Sequence, residues 1–407
     1  MMKMEACGLV VEYNPFHNGH VYHIQEARKI SQAECMIAVM SGSFLQRGEP
    51  AIMDKFYRAR AALSKGIDLV VELPYPFAVQ SSDLFAKGAV LTLSELGVSS
   101  LCFGSESGNI DNFINSYHRL KTNQQDYQNV LRDQLNSGIS FPEASKAAYR
   151  HISLSTDEMD LTKPNNILGF SYVKTIMDHN LPIRPLTVQR SQSGYHDETI
   201  SGSIASATSI RKTLTERNTI THEISNSIPD TTKMELENYN QRAGTWHVWE
   251  NYFPFLHYRV TTMSLQELSM IQGVDEGLEH RLKKAARSVH SFGEWMQTLK
   301  TKRYTWTRLQ RMFVHILTNT KKKEIDILCN PSKMAYVRVL GFNKTGQAYI
   351  HQQKKKIDVP LIQKLGRTMH PMLEMEERAS DAYYSILAPD VKLALRNQEI
   401  QPPIKIL

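Results

Sequence analysis

An α/β fold is predicted for the first half of this 407-residue chain, and a mainly helical, basic fold for the second. Three observations predict it. Short apolar runs alternate with helical patterns through the first hundred residues. That alternation gives way to helical and polar patterns after about residue 215. Charge is also unevenly shared: residues 1–200 carry 18 Lys+Arg and 21 Asp+Glu, a net of −3, whereas residues 201–407 carry 30 and 20, a net of +10. Repeated strand–helix–strand patterns make right-handed units around a parallel sheet, whose ligands sit at the carboxyl ends of the strands. The basic half is a candidate for binding a polyanion.

The elements follow in order. Cys7–Glu12 (CGLVVE) reads as a buried strand. A helical pattern runs from Gly19 to about Ile30, and Cys35–Ser41 (CMIAVMS) is a second strand. Asp54 is placed to N-cap a helix over Asp54–Lys65. Asp68–Leu73 is a third strand, stopped by Pro74. Asp83–Leu96 is a third helix, and Ser100–Phe103 a fourth strand. Residues 110–180 read as largely helical and Ile183–Val188 as a further strand, followed by a Ser/Gly-rich stretch from Ser191 to Ser209. Asn218–Asn240 is polar, a linker or an exposed helix. From Leu265 onward the pattern is mostly helical, with basic runs at Lys283-Lys284, Lys321–Lys323 and Lys354–Lys356.

Composition narrows the class. With 41% hydrophobic and 22% charged residues the chain is globular. No apolar run approaches the roughly 20 residues that span a bilayer. The run Ala6–Val11 after Lys3 is too short for a signal peptide, so a cytoplasmic location and no membrane partner are expected. Cys7, Cys35, Cys102 and Cys329 form no C-x-x-C pair and read as buried thiols in a reducing compartment. The sequence contains no G-x-x-x-x-G-K-[ST], no G-x-G-x-x-G after the first strand and no H-E-x-x-H. P-loop, NAD-type and zinc-protease chemistry are therefore not indicated, and no metal ligand set is expected.

The chemistry-bearing segment follows the first strand: Glu12-Tyr13-Asn14-Pro15-Phe16-His17-Asn18-Gly19-His20. Pro15 interrupts the strand, Asn18 and Gly19 open a helix, and His20 falls in its first turn. A helix N-terminus presents unpaired N–H groups and a partial positive charge, which suits phosphate. Two histidines three residues apart can face one phosphate group, and Gly19 between them lets a base or ribose approach.

This strand–loop–H-x-G-H–helix arrangement resembles the HIGH signature of the nucleotidyltransferase and class I aminoacyl-tRNA synthetase superfamily. Downstream, Ser206-Ala207-Thr208-Ser209-Ile210-Arg211 resembles its second signature; it can equally be a Ser-rich loop capping a helix. The wider segments GLVVEYNPFHNGH, MSGSFLQRGEPA, DLVVELPYPFAVQSSDLFA, FGSESG and KPNNILG resemble one bacterial family over the first 210 residues or so, the tRNA(Met) cytidine acetate ligases. The resemblance implies a Rossmann-like parallel-sheet nucleotidyltransferase domain over residues 1–215 and a mainly helical, basic, tRNA-binding domain over 216–407. It implies that ATP, with Mg2+, activates acetate as acetyladenylate, which the exocyclic N4 amine of the wobble cytidine of elongator tRNA(Met) then attacks. By the same resemblance, Val10, Val11, Glu12, Tyr13, Asn14, Pro15, Phe16, His17, Asn18, Gly19, His20, Val21, Tyr22 and His23 cradle ATP. His17 and His20 act in catalysis, and Gly104, Asn165 and Arg190 add further ATP contacts. Thr208, Ser209 and Arg211 are possible phosphate ligands.

Each outlying residue has a plainer alternative. Gly104 ends a strand and leaves room for adenine or ribose, or is simply a turn glycine. Asn165 binds ribose or caps the following helix. Arg190 clamps phosphate bidentately or makes a surface ion pair. Arg47 and Glu49 either line the site or belong to an ordered loop.

Between Arg281 and Lys323 the sequence holds twelve Lys/Arg and one acidic residue, Glu294, interleaved with Phe292, Trp295, Tyr304, Trp306 and Phe313. Charge with stacking groups suits RNA. The expected tRNA contacts are Lys283, Lys284, Lys300, Lys302, Arg303, Arg308 and Arg311. The alternative is a solvated basic helix face over core aromatics. Two rival functions stand beside the ligase. One is transfer of AMP to a small phosphorylated metabolite, which needs no basic half. The other is a non-catalytic RNA-binding protein, against which intact His17 and His20 weigh.

Overall fold

The structure is a computed structural model that describes residues 4–155, 159–190, 206–366 and 370–406. Residues 191–205, the larger part of the expected Ser/Gly-rich stretch, lie outside the described residues. The first elements are β1 (Ala6–Val11), α1 (Asn18–Ser31), β2 (Cys35–Ser41), α2 (Lys55–Leu63) and β3 (Leu69–Leu73). Then come α3 (Tyr75–Ala78), α4 (Ser82–Glu95), β4 (Ser100–Ser105), α5 (Ile110–Thr122), α6 (Gln124–Asn136), α7 (Phe141–His151), α8 (Pro164–Asp178), β5 (Arg184–Gln189) and α9 (Ala207–Arg217). Asp54 caps α2 as expected, its carboxylate accepting from the Phe56 and Tyr57 amides. The polar segment after residue 218 forms two helices, His222–Ser227 and Asp230–Ala243.

The strands order as β5-β4-β1-β2-β3, all parallel. The chain moves outward from β1 to β2 and β3, then crosses to the other side of β1 for β4 and β5. Strand order therefore reverses between β1 and β4, the switch point where sheets of this kind bind ligands. Both faces are covered, which explains the continuous apolar strands. Cys35, Ile37 and Val39 join one core with α4, while Met36, Ala38 and Met40 join a second with α1 and α2.

The sheet also reaches into the second half of the chain. Strand β6 (Val337–Asn343) pairs antiparallel with β3, and its outer edge carries β7 (Leu361–Ile362) and β8 (Ile404–Ile406). These strands escape the mostly helical reading after Leu265, because Arg338 breaks the apolar run of β6. Arg338 is nonetheless 3% exposed, paired with Glu72 at 2.7 Å and Glu399 at 2.5 Å. No helix among the described residues is long and apolar enough to cross a membrane.

Candidate active site

One cleft of about 830 Å³ opens at the carboxyl ends of β1, β4 and β5, at the switch point. Its size is that of a small-molecule site. Of the expected residues it gathers Val10, Val11, Glu12, Tyr13, Asn14, His17, Gly19, His20, Tyr22, His23, Gly104, Asn165, Arg190, Thr208 and Arg211. Pro15, Phe16, Asn18, Val21 and Ser209 are not on its wall. Phe16 is buried beneath it, edge-on to Tyr13 at 4.7 Å and stacked on His20 at 5.7 Å. Asn18 turns away to donate to the Asn226 carbonyl at 2.9 Å.

His17 and His20 close the start of α1 reciprocally. His17 Nδ1 accepts from the Gly19 amide at 3.1 Å, and His20 Nδ1 accepts from the His17 amide at 3.2 Å. A ring nitrogen that accepts carries no proton, so each neutral imidazole holds its proton on Nε2. The rings stack 3.7 Å apart. Burial, then the positive Arg190 and Arg211, press the His17 pKa down to about 3. Burial and its neighbours hold His20 well below the usual histidine range. His23 falls to about 4, through burial and then Arg190. His17 and His20 are thus uncharged donors whose Nδ1 atoms are occupied by the start of α1, while His23 Nε2 lies 3.9 Å from the Cys102 thiol.

The surrounding scaffold is fixed by groups that sequence reasoning missed. Arg58, fully buried on α2, donates to the carbonyls of Glu12 at 2.6 Å, Ser41 at 3.1 Å and Gly42. It ties the ends of β1 and β2 together beneath the motif; its only sequence signal was a basic residue inside an apolar helix face. Glu12 accepts from the Gln46 amide at 2.7 Å. Arg211 donates to the Asn14 carbonyl and to Glu49, both at 2.9 Å, so Arg211 braces the motif loop as well as lining the cleft. Ser206 N-caps α9, its Oγ accepting from the Ser209 amide at 3.1 Å, and the Ser209 hydroxyl donates to the Ser206 carbonyl at 2.8 Å.

Asn165 and its neighbour are held by a second missed residue, Glu106. Glu106 Oε1 accepts from Asn165 Nδ2 at 2.7 Å and Oε2 from the Asn166 amide at 2.8 Å, so Glu106 caps α8. Asn166, 2% exposed, accepts in return from the Glu106 and Ser107 amides. The signal was present in FGSESG: a carboxylate just after a strand, answering the helix start of KPNNILG. A Cβ on Gly104 would lie 3.2 Å from Arg190 Cγ, so the missing side chain makes room for this arginine. Among the described residues Arg190 has no ion-pair partner, unlike Arg211.

The basic segment behaves differently from its composition. Phe292, Trp295, Tyr304 and Phe313 are buried in the helical core and cannot stack on bases; only Trp306 is substantially exposed, at 38%. That corrects the expectation of interleaved stacking groups. Two acids just upstream of the counted window also intervene: Glu276 pairs with Arg303, and Asp275 sits 3.7 Å from Arg308 and 2.8 Å from Lys322. Lys284, Lys300 and Lys302 are exposed, and half-buried Lys283 donates to the Thr261 carbonyl at 3.1 Å. Arg311 lines the cleft itself, one helical turn from Thr307, with its pKa pushed down to about 10 by burial and then by Arg308 and Arg47. Gly48, at φ 78°, packs on the Arg311 backbone where no Cβ would fit, which fixes the Arg47–Glu49 loop to this helix.

The HIGH Nucleotidyl Transferase family model matches residues 4–399. The tRNA(Met) cytidine acetate ligase of Oceanobacillus iheyensis is 54% identical over 403 residues, covering 99% of this chain and all of the relative. That of Bacillus subtilis is 45% identical over 383 residues, 93% of this chain and 92% of the relative. Crystal structures of Thermotoga maritima TmcAL, 31% identical, superpose with TM-scores of 0.90 for the apo form and 0.88 for the form bound with alpha-thio ATP. Each covers 99% of this chain and all of the neighbour.

Proposed function

The chain belongs to the tRNA(Met) cytidine acetate ligase family of HIGH nucleotidyltransferases, and from that premise we propose that it activates acetate with ATP and acetylates the N4 amine of the wobble cytidine of elongator tRNA(Met). The observation that carries the chemistry is the reciprocal capping of α1 by His17 and His20 at the floor of the cleft. Acetate is a poor electrophile because its carboxylate is delocalised. In the first step an acetate oxygen bonds to the α-phosphorus and the bond to pyrophosphate breaks. Charge grows on the α-phosphate oxygens, and donors fixed beforehand lower that barrier most. The two Nε2–H groups and the N-terminus of α1 supply such donors, and Arg190, without an ion-pair partner among the described residues, supplies a cation. In the second step the cytosine N4 bonds to the acetyl carbon and AMP leaves.

Magnesium fits as a companion of the nucleotide. Among the described residues no group of three His, Cys, Asp or Glu is placed to hold a metal. The ion would therefore be carried by phosphate oxygens and water, the usual habit of Mg2+. The exposed Lys284, Lys300 and Lys302, together with Thr307 and Arg311 at the cleft, support tRNA contact by the second half of the chain. A cytoplasmic location agrees with four free, buried thiols.

The test is to supply tRNA with labelled acetate and ATP and follow both acetylcytidine and AMP. Equal amounts of the two are expected, with acetyl-CoA unable to replace acetate plus ATP. Acetylation by acetyl-CoA without ATP consumption would overturn the mechanism.

A further inference from the structure

The cleft has a wall to which no ATP contact is assigned. Helix α7 turns Phe141, Ser145 and Tyr149 toward it, spaced four residues apart so that they share one face, with Lys146 beside them. Ala144 and Ala148 on the adjoining face are buried in the core. Phe141 is 50% exposed, a large apolar surface held in a cleft. Ser145 on the same wall is only 7% exposed, and its Oγ is buried, with no hydrogen-bond partner among the described residues. Facing this wall, Asp83 in the first turn of α4 is oriented by the Ser171 hydroxyl, which donates to it at 3.0 Å.

We infer that this wall is the subsite that receives the extruded cytosine of the RNA substrate, with Phe141 as its stacking platform and Asp83 as the acceptor for its exocyclic amine. The inference rests on the function proposed above and adds the residues that select the base. A base modified on its exocyclic amine must leave the stack to reach the nucleotide cleft. An exposed aromatic ring holds such a base by its face. A carboxylate accepts from cytosine N4 and repels the O4 acceptor that uracil presents there. Lys146 offers a cation to the RNA backbone. Asp83 also argues against acetate as the occupant, because two carboxylates would face each other.

Wild type, Phe141→Ala, Phe141→Trp, Ser145→Ala and Asp83→Asn would each be assayed for acetate-dependent pyrophosphate–ATP exchange and for tRNA acetylation. The RNA substrates are transcripts carrying cytidine or uridine at the acetylated position, the second used as a competitor. Exchange is expected to be unchanged in all variants, which also shows that they fold. Phe141→Ala should raise the KM for tRNA on the order of tenfold or more, with Phe141→Trp restoring it. Ser145→Ala, at a hydroxyl buried out of the cleft, should leave it unchanged. Asp83→Asn should abolish a preference of about tenfold for the cytidine transcript over the uridine competitor. Wild-type KM and base preference in all variants would overturn the subsite while leaving the function intact. A raised KM for acetate in exchange would overturn it too, by assigning the wall to the acyl donor. Exchange without any acetylation of RNA by wild type would instead overturn the function itself.

Discussion

Two clusters of ionisable groups are withdrawn from water in this molecule, one partly and one fully, and they resolve burial in opposite ways. At the cleft, His17, His20 and His23 lie beside the positive Arg190 and Arg211, and all three are driven neutral. Behind β3, Lys55 is 2.6 Å from Glu72, 3.0 Å from Glu399 and 3.5 Å from Glu376, and Arg338 joins Glu72 and Glu399. There burial opposes the charge on Lys55, but Glu399 and Glu72 outweigh it and hold the ammonium ionised. Glu399 is likewise kept ionised: burial is overcome by Lys55 and Arg338, and its pKa falls to about 2. Glu376 is left without enough cations; burial and then Glu72 push it up to about 8, so it holds its proton at neutral pH. Burial alone does not set charge; the sign of the neighbours does. The first cluster is thereby fitted to donate hydrogen bonds to an anion, and the second to fasten the end of the chain to the sheet.

Four experiments test that contrast. The largest effect is expected from Lys55→Met, which leaves the buried carboxylates of Glu72 and Glu399 with a single cation, Arg338. A loss of about 3–5 kcal/mol is expected in the denaturant-unfolding free energy; a loss under about 1 kcal/mol would show that the network is not a fastening. Next, His20→Ala should slow acetate-dependent pyrophosphate exchange by about 10²–10³-fold in a folded protein, the scale of removing one fixed donor to a transition-state oxyanion. Near-normal exchange would remove His20 from the chemistry.

The third experiment is pH dependence without ligand. The folded pKa values of His17 and His23, about 3 and about 4, lie below the unfolded value of about 6.5. Their contribution to stability is therefore present above pH ~6.5 and lost as pH falls through the folded values. Glu376 has the opposite sign: its folded value, about 8, lies above the unfolded one, so its contribution is lost as pH rises through about 8. Unfolding free energy should decline on both sides of a neutral optimum, and His23→Asn should flatten the acid side. An unaltered acid slope in that variant would show that His23 is not held neutral by the fold. The smallest effect concerns charges left in water. Neutralising Lys284, Lys300 and Lys302 should leave exchange intact and flatten the salt dependence of tRNA binding by somewhat under one log–log unit per phosphate contact, about 0.7 for single-stranded regions. Arg311 is best left intact because it lines the cleft. An unchanged salt slope would make these lysines a solvated face.

Residue pattern alone was enough to place β1 to β5 and the helices α1, α2 and α4, each to within a few residues. Their apolar runs and caps are local, and a parallel sheet buried on both faces writes itself as continuous hydrophobic strands. The H-x-G-H segment was legible for the same reason: strand, proline, glycine and helix start are adjacent in the chain. Tertiary structure decided what local pattern cannot express. Strand β6 stayed hidden because the charge that interrupts it, Arg338, is neutralised by Glu72 and Glu399, which lie far away in sequence. The aromatics of residues 292–313 looked available for stacking until the helical core enclosed them. Arg58, Glu106 and Arg311 acquired their places at the site only when the sheet brought distant loops together. A cap or an apolar period is encoded within a few residues, whereas the partner that lets a charge be buried is chosen by the fold.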